Sequence, residues 1–268
     1  MLKFISLGSG SSGNSYFLFT ENYGILIDAG VGIRTLKRHF HSNGLSLSQI
    51  NAVFITHDHA DHIKCVGNLS NDYNLPIYAT SLVHDGIMRN YCVSIKPSAQ
   101  HVFAIEKEET ITLGDFHITP FEILHDSSDN VGYSIQYHDV NFCLITDCGR
   151  ATESLGTYVS KANYLVIEAN HDTDMLMMGP YPAHLKGRIR SGRGHLNNHE
   201  TAQILSDNMT EKLKYVWLCH LSEENNHPEL ARKTVDSHLR SFGIIAGKDF
   251  ELEILKRRVP SKIYDLKV

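Results

Sequence analysis

At 268 residues, 42% of them hydrophobic and 21% charged, the chain suits a soluble globular protein. Its net charge of −5 excludes a uniformly basic nucleic-acid binder, though not a local basic patch. No apolar run reaches the roughly 18 residues that a bilayer span needs, so no membrane association is expected.

Residues 1–7 read as a first strand ended by Gly8, and not as a signal peptide. The run Gly8-Ser9-Gly10-Ser11-Ser12-Gly13 has the GxGxxG spacing of dinucleotide sites, with Asp28 about 20 residues on. That fingerprint needs a helix to open at the glycines. Here residues 14–19 are strand-like, so a Gly/Ser hairpin loop passing close to a site is expected instead. Strands are expected at 16–19, 25–28, 52–56, 77–79, 117–124, 133–137, 142–146, 164–168, 215–219 and 250–255. Helical patterns occupy 34–42, 62–70, 81–91, 199–208 and 228–242. The last has Pro228 in its first turn and Gly243 just past its end. The early hairpin-like strands favour two mixed sheets with helices on their outer faces over one doubly wound sheet. Without a linker, low-complexity tract or block of like charge, residues 1–268 read as a single domain. Five cysteines, an odd number without CxxC spacing, read as reduced thiols, which suggests a cytoplasmic protein.

Seventeen histidines is a high count for this length, and metal binding or proton transfer are the uses that justify it. His57-Asp58-His59-Ala60-Asp61-His62 places three imidazoles and two carboxylates directly after the apolar run 51–56. Such a cluster is costly at a strand end unless something binds it. A divalent metal resolves the conflict, because neutral imidazole nitrogen and carboxylate oxygen are its ligands. His125, Asp147 and His220 each follow an apolar strand in the same way. Singly, each is an ordinary buried histidine or turn aspartate; together they repeat one geometry, with ligands at carboxyl ends of strands. The set suffices for two ions. His57, His59 and His125 would hold one, and Asp61, His62 and His220 the other. Asp147 would bridge, with a water as nucleophile. Zn(II) suits these ligands first, with Mn(II) and Fe(II) as alternatives.

The motif His57-x-His59-x-Asp61-His62, followed by His125, Asp147 and His220, resembles the metallo-β-lactamase superfamily over essentially the whole chain. The resemblance implies a four-layer αββα sandwich with a dinuclear site. It also implies that Asp28 holds a ligand histidine from behind. An aspartate at position 147 looks like the phosphodiester and thioester hydrolases of that superfamily. Glu168-Ala169 and Gly194-His195, in that order, resemble ribonuclease Z, where the glutamate orients a histidine beside the scissile phosphate. On that likeness Asp61, His195 and Glu168 are the catalytic candidates: Asp61 to take a proton from the nucleophile, His195 to act at the phosphate, Glu168 to orient His195. The alternative is a helix-capping histidine and a surface acid.

Residues 9–15, 66–70, 168–172, 194–196 and 220–226 look like the YycJ/WalJ-type bacterial proteins, a group associated with 5′-to-3′ exonuclease activity on DNA. Lys186, Arg188, Arg190 and Arg193, just before His195, read as a flexible basic loop for DNA phosphates. The chain lacks the long Gly/Pro-rich arm and the extra domain of the superfamily's RNA-cleaving members. Competing readings are a small-molecule hydrolase acting on a thioester, lactone or cyclic phosphodiester, a ribonuclease, and a sensor with a vestigial metal site.

Overall fold

The computed structural model describes residues 1–267 and forms two compact units. The first comprises Met1–Gly114, Ser127–Asn130 and Lys256–Lys267. Its strands are β1 (Leu2–Gly8), β2 (Ser15–Phe19), β3 (Gly24–Ile27), β4 (Ala52–Phe54), β5 (Ile77–Ala79) and β6 (Val102–Ala104). They form a mixed sheet in that order, with the C-terminal strand β14 (Tyr264–Leu266) beside β1. Pairing is antiparallel from β14 to β3, with short connections joining β1 to β2 and β2 to β3. It is parallel from β3 to β6, where helices make the crossovers. These helices are α1 (Ile33–Ser42), α2 (Ala60–Ile63), α3 (Val66–Tyr73) and α4 (Ser81–Arg89). Leu36 and Phe40 of α1, Leu69 of α3 and Val83 and Ile87 of α4 share one buried cluster with Phe17, Leu26, Val53 and Ile77. The cluster takes alternate residues along the chain, Ile5 and Leu7, Phe17 and Phe19, Val53 and Ile55, Ile77 and Ala79, so one face of the sheet meets the helices.

The second unit holds Asp115–Asp126 and Val131–Leu255. The second sheet runs β13-β12-β11-β10-β9-β8-β7. Its strands are β7 (Ile111–Leu113), β8 (Phe116–Glu122), β9 (Val131–Tyr137), β10 (Val140–Ile145), β11 (Tyr164–Glu168), β12 (Tyr215–Cys219) and β13 (Glu251–Ile254). β8 to β10 are antiparallel, and β10 to β13 are parallel. Helices α5 (Glu153–Lys161), α8 (Asn198–Asn208) and α9 (Pro228–Ser241) lie in the three parallel crossovers. They bury Leu155, Val159, Leu205, Val235 and Leu239 against Cys143, Ile145, Leu165, Ile167 and Val216. The two mixed sheets with helices expected from sequence are both present.

The differences from expectation are local. The helix expected at 62–70 is broken, because Cys65 N–H bonds Ala29 O at 2.8 Å and leaves the helical ladder. The short strands β6, β7 and β14 and the helices α5, α6 (Thr173–Met178) and α7 (Ala183–Ile189) have no strong periodicity and were not expected. No helix opens at the glycine run; β2 follows it. No helix among the described residues is long and apolar enough to cross a membrane.

All five cysteines are free. Cys65, Cys143, Cys148 and Cys219 are buried, and Cys92 is exposed. Burial pushes the Cys65 thiol up to about 12, and pushes Cys143 and Cys148 up further. Iodoacetamide at pH 7.5 will therefore label one thiol of the native protein, Cys92, and five after unfolding. Mass spectrometry that finds a second rapidly labelled site in the native state would contradict this packing.

Candidate active site

In the first unit, the parallel strands β3 and β4 end side by side, so Asp28 and the His57–His62 segment emerge at one edge. Asp28 is fully buried in the left-handed region at φ 61°. Its carboxylate accepts Thr56 N–H at 2.8 Å and the Thr56 hydroxyl at 3.0 Å. It also accepts the Nδ1–H of His62 at 2.7 Å. Thr56 Oγ1, its own proton directed at Asp28, accepts His57 Nδ1–H at 3.0 Å. Both rings are thereby set with a lone pair on Nε2, the atom that binds metals. The His57 ring lies 4.0 Å from that of His62 and 4.7 Å from that of His59, centroid to centroid.

Asn14 ties the glycine-rich turn to this segment. Its backbone N–H bonds Asp61 O at 2.8 Å, and its amide nitrogen lies 2.9 Å from His62 Nε2. Gly30 N–H bonds Asn14 O in turn. A Cβ on Gly30 would stand 1.6 Å from Asp61 O, so only glycine fits. Asp58, the second carboxylate of the cluster, faces elsewhere: it accepts Ser128 N–H at 3.0 Å and the Ser128 hydroxyl at 2.6 Å.

In the second unit, β10, β11 and β12 run parallel, and Asp147, Glu168 and His220 stand at their shared carboxyl edge. β8 points the same way and delivers His125. Asp147 at φ 49° and His220 at φ 52° share the left-handed conformation of Asp28. Non-glycine residues adopt it at a cost, and Asp and His are among those that tolerate it. Glu168 is fully buried, which excludes the surface-acid alternative. Its Oε1 accepts Nδ1–H of His195 at 2.8 Å and of His220 at 2.9 Å. Its Oε2 accepts Cys148 N–H at 2.9 Å and Leu196 N–H at 3.1 Å. Burial opposes its charge, but the pairing with His195, joined by His220, holds the carboxyl well below the usual range. Burial likewise works against a charged His195, and the Glu168 carboxylate outweighs it and raises that ring's pKa. His125 Nδ1–H donates to Gly194 O at 2.8 Å.

Asp147, Glu168, His195 and His220 each bring a nitrogen or carboxylate oxygen within 4.8 Å of the others. Asp147 Oδ1 is 3.3 Å from His220 Nδ1 and 3.8 Å from His125 Nε2. His57, His62, His125, His195 and His220 thus have Nδ1 bonded to oxygen, which turns Nε2 outward from each prop. That donor set fits a divalent metal.

Beyond Asp28 and Glu168, the sequence did not single out the residues that hold the ligands from behind. Thr56 and Asn14 are two. Asn170, whose amide donates to His220 O at 2.9 Å, and Thr201, which donates to Glu168 O at 2.6 Å, are others. Asn14 carried a readable signal, since a polar amide ending a Gly/Ser turn beside a strand is placed to reach a neighbouring loop. The basic segment differs from the flexible loop expected. Helix α7 carries Lys186 and Arg188; Lys186 donates to Met177 O and Gly179 O at 2.7 and 2.8 Å. Arg188 pairs in a two-pronged contact with Asp126, and Arg190 reaches Met177 Sδ.

A profile described as beta-lactamase superfamily domain matches residues 23–220. Exodeoxyribonuclease YycJ of Bacillus anthracis is 33% identical over 262 residues, 98% of each chain. Exodeoxyribonuclease WalJ of Streptococcus pneumoniae is 34% identical over 251 residues, 93% of each chain. The crystal structure of the metallo-β-lactamase fold protein YhfI from Bacillus subtilis superposes with a TM-score of 0.71 at 19% identity. That match covers 97% of this chain and 99% of the other, and it establishes the fold.

Gly30→Ala will destabilise the protein by far more than the ~1 kcal/mol typical of a point substitution, because backbone stands where the methyl must go. Its thermal midpoint should fall sharply, whereas Gly32→Ala, whose Cβ meets only a lysine side-chain carbon at 3.8 Å, should change it little. Glu168→Gln sets an NH2 group among four donors and should cost about 1–3 kcal/mol by denaturant titration. An unchanged midpoint would show that the network is not under tension.

Proposed function

The chain belongs to the beta-lactamase superfamily, and on that premise we propose that it is a single-domain, metal-dependent phosphodiesterase that degrades DNA in the 5′-to-3′ direction. The observation that carries the reading is the set of buried histidines whose Nδ1 atoms are all bonded to oxygen. A structural histidine needs no such uniform orientation; a metal ligand does. His57, His59 and His125 would hold one divalent ion, Asp61, His62 and His220 would hold a second, and Asp147 would serve both. Zn(II) is the first candidate, with Mn(II) or Fe(II) as alternatives. When bound, the ions supply Lewis acidity toward phosphoryl oxygens and make water more acidic.

The residues of the chain do the rest. Asp61 takes a proton from the attacking water. His195, whose protonated form Glu168 favours, donates at Nε2 to the departing oxygen and balances charge on the phosphate. Glu168 fixes the direction of that ring and of His220 with one oxygen, so its effect on catalysis is through them. DNA phosphates lie along the segment carrying Lys186, Arg188, Arg190 and Arg193. Arg193 is the main contact, because the other three cations already have partners within the chain. The protein works in the cytoplasm. Similarity to two exodeoxyribonucleases over nearly the whole chain favours DNA over a small-molecule ester.

Metal analysis combined with assays on 5′- and 3′-end-labelled DNA tests this. We expect about two metal equivalents, release of nucleotides from the 5′ end, and loss of activity with a chelator. His195→Ala should slow cleavage by about 10²- to 10⁴-fold, and Glu168→Gln by about 10- to 100-fold. A fully metal-loaded protein that leaves DNA intact while hydrolysing thioesters or lactones would overturn the nuclease reading.

A further inference from the structure

We propose that the first unit contains a separate phosphate subsite for the nucleotide chain, in a cavity of about 280 Å³ walled by Arg38, Lys64, Arg257 and Arg258. The proposal rests on the DNA-hydrolase reading above and deepens it. The four cations come from three parts of the chain: helix α1, the break between α2 and α3, and the segment before β14. No carboxylate lines the cavity among the described residues. In a chain with a net charge of −5, such a concentration of positive charge raises the local concentration of an anion.

The walls suit phosphate oxygen in two further ways. Ser12 and Gly13 of the glycine-rich turn line one side, and Arg257 is laid against that turn, its Cγ 3.1 Å from where a Cβ of Gly10 would stand. Helix α1, ten residues long, begins here: Gly32 and Thr35 line the cavity. Its N-cap is glycine without a side-chain bond, and no acid lies in its first turn. Its positive end is thus turned to the space the cations surround. His39, buried and bonded through Nδ1 to Leu7 O, closes the floor as a neutral ring, its protonation disfavoured by burial. A second cavity of about 320 Å³ shares Gly32, Thr35 and Lys64 and adds Arg34, which extends the basic track.

The same turn links this cavity to the catalytic segment. Ser12 and Gly13 face the cations, while Asn14, next in sequence, holds Asp61 and His62. A strand lying with one phosphate among the cations therefore lies against the same turn whose Asn14 holds the Asp61–His62 segment. Pockets for whole organic ligands begin near about 300 Å³, so the cavity takes one nucleotide unit and not a duplex. The chemistry recognised is a phosphate mono- or diester; a terminal and an internal phosphate are its two sources.

The test is binding of fluorescein-labelled single-stranded DNA, with a 5′-phosphate or a 5′-hydroxyl, measured by anisotropy across salt concentrations. The double variant Arg38→Ala/Lys64→Ala removes two exposed side chains and is expected to fold; Arg258→Glu is the second probe. Lys37→Ala, on the same helix but outside the cavity, is the charge control. Two lost phosphate contacts should weaken binding about tenfold or more and lower the slope of log Kd against log salt by about 1.4, at about 0.7 per contact on single strands. The control should bind within twofold of the parent. A larger loss on the 5′-phosphorylated strand assigns the subsite to the chain terminus; an equal loss assigns it to an internal phosphate. A parent that cleaves DNA while both cavity variants bind as it does, or a control that loses as much as they do, overturns the subsite alone. A parent that neither binds nor cleaves DNA overturns the subsite and the nuclease reading together.

Discussion

The position of one imidazole proton governs this molecule. A histidine offers a metal or substrate its lone pair only if the other nitrogen keeps the hydrogen. In His57, His62, His125 and His220, that hydrogen lies on Nδ1 and is directed at a threonine hydroxyl, a carboxylate or a backbone carbonyl. The props are themselves buried: Asp28 and Glu168 are both inaccessible to solvent. A buried carboxylate is tolerable only with its oxygens filled by donors, and each has them. Much of the surrounding architecture follows from that need, because the donors are backbone N–H groups, a hydroxyl and rings carried by strand ends and by the helix and loop segments beside them.

Parallel strands are the device that brings those ends together. Asp147, Glu168 and His220 lie far apart in sequence, yet register between β10, β11 and β12 sets them at one edge. Helical crossovers make the parallel register possible, and their apolar faces pay for it by covering one side of each sheet. The acid–histidine chemistry therefore depends on helices as well as strands: α2 carries Asp61 and His62, and Thr201 of α8 donates to Glu168 O.

The sequence was legible where chemistry is concentrated or periodic. Three imidazoles in six residues, and lone polar residues closing apolar runs, marked the candidate ligands; the apolar runs themselves marked most strands. It was opaque where meaning comes from a partner distant in the chain. Asp58 looks like a ligand beside His57 and His59, but its oxygens go to Ser128. Arg188 looks like a phosphate contact, but Asp126 engages it. Glu168 keeps a surface-acid alternative in the sequence until four donors from Cys148, Leu196, His195 and His220 surround it. The helix expected at 62–70 breaks for the same reason, since the carbonyl of Ala29 competes for one amide.

The left-handed backbone at Asp28, Asp147 and His220 bears on how side-chain deletion here must be interpreted. Alanine at these positions changes two things at once. It deletes the functional group, and it leaves a residue poorly suited to the local φ, so lost activity and lost stability arrive together. Asparagine keeps both the shape of aspartate and its tolerance of that conformation, and so isolates the charge. Glycine removes the side chain and relieves the backbone, and so isolates the strain. Read as a pair, the two substitutions separate what the strand ends do for catalysis from what they cost the fold; alanine scanning merges them.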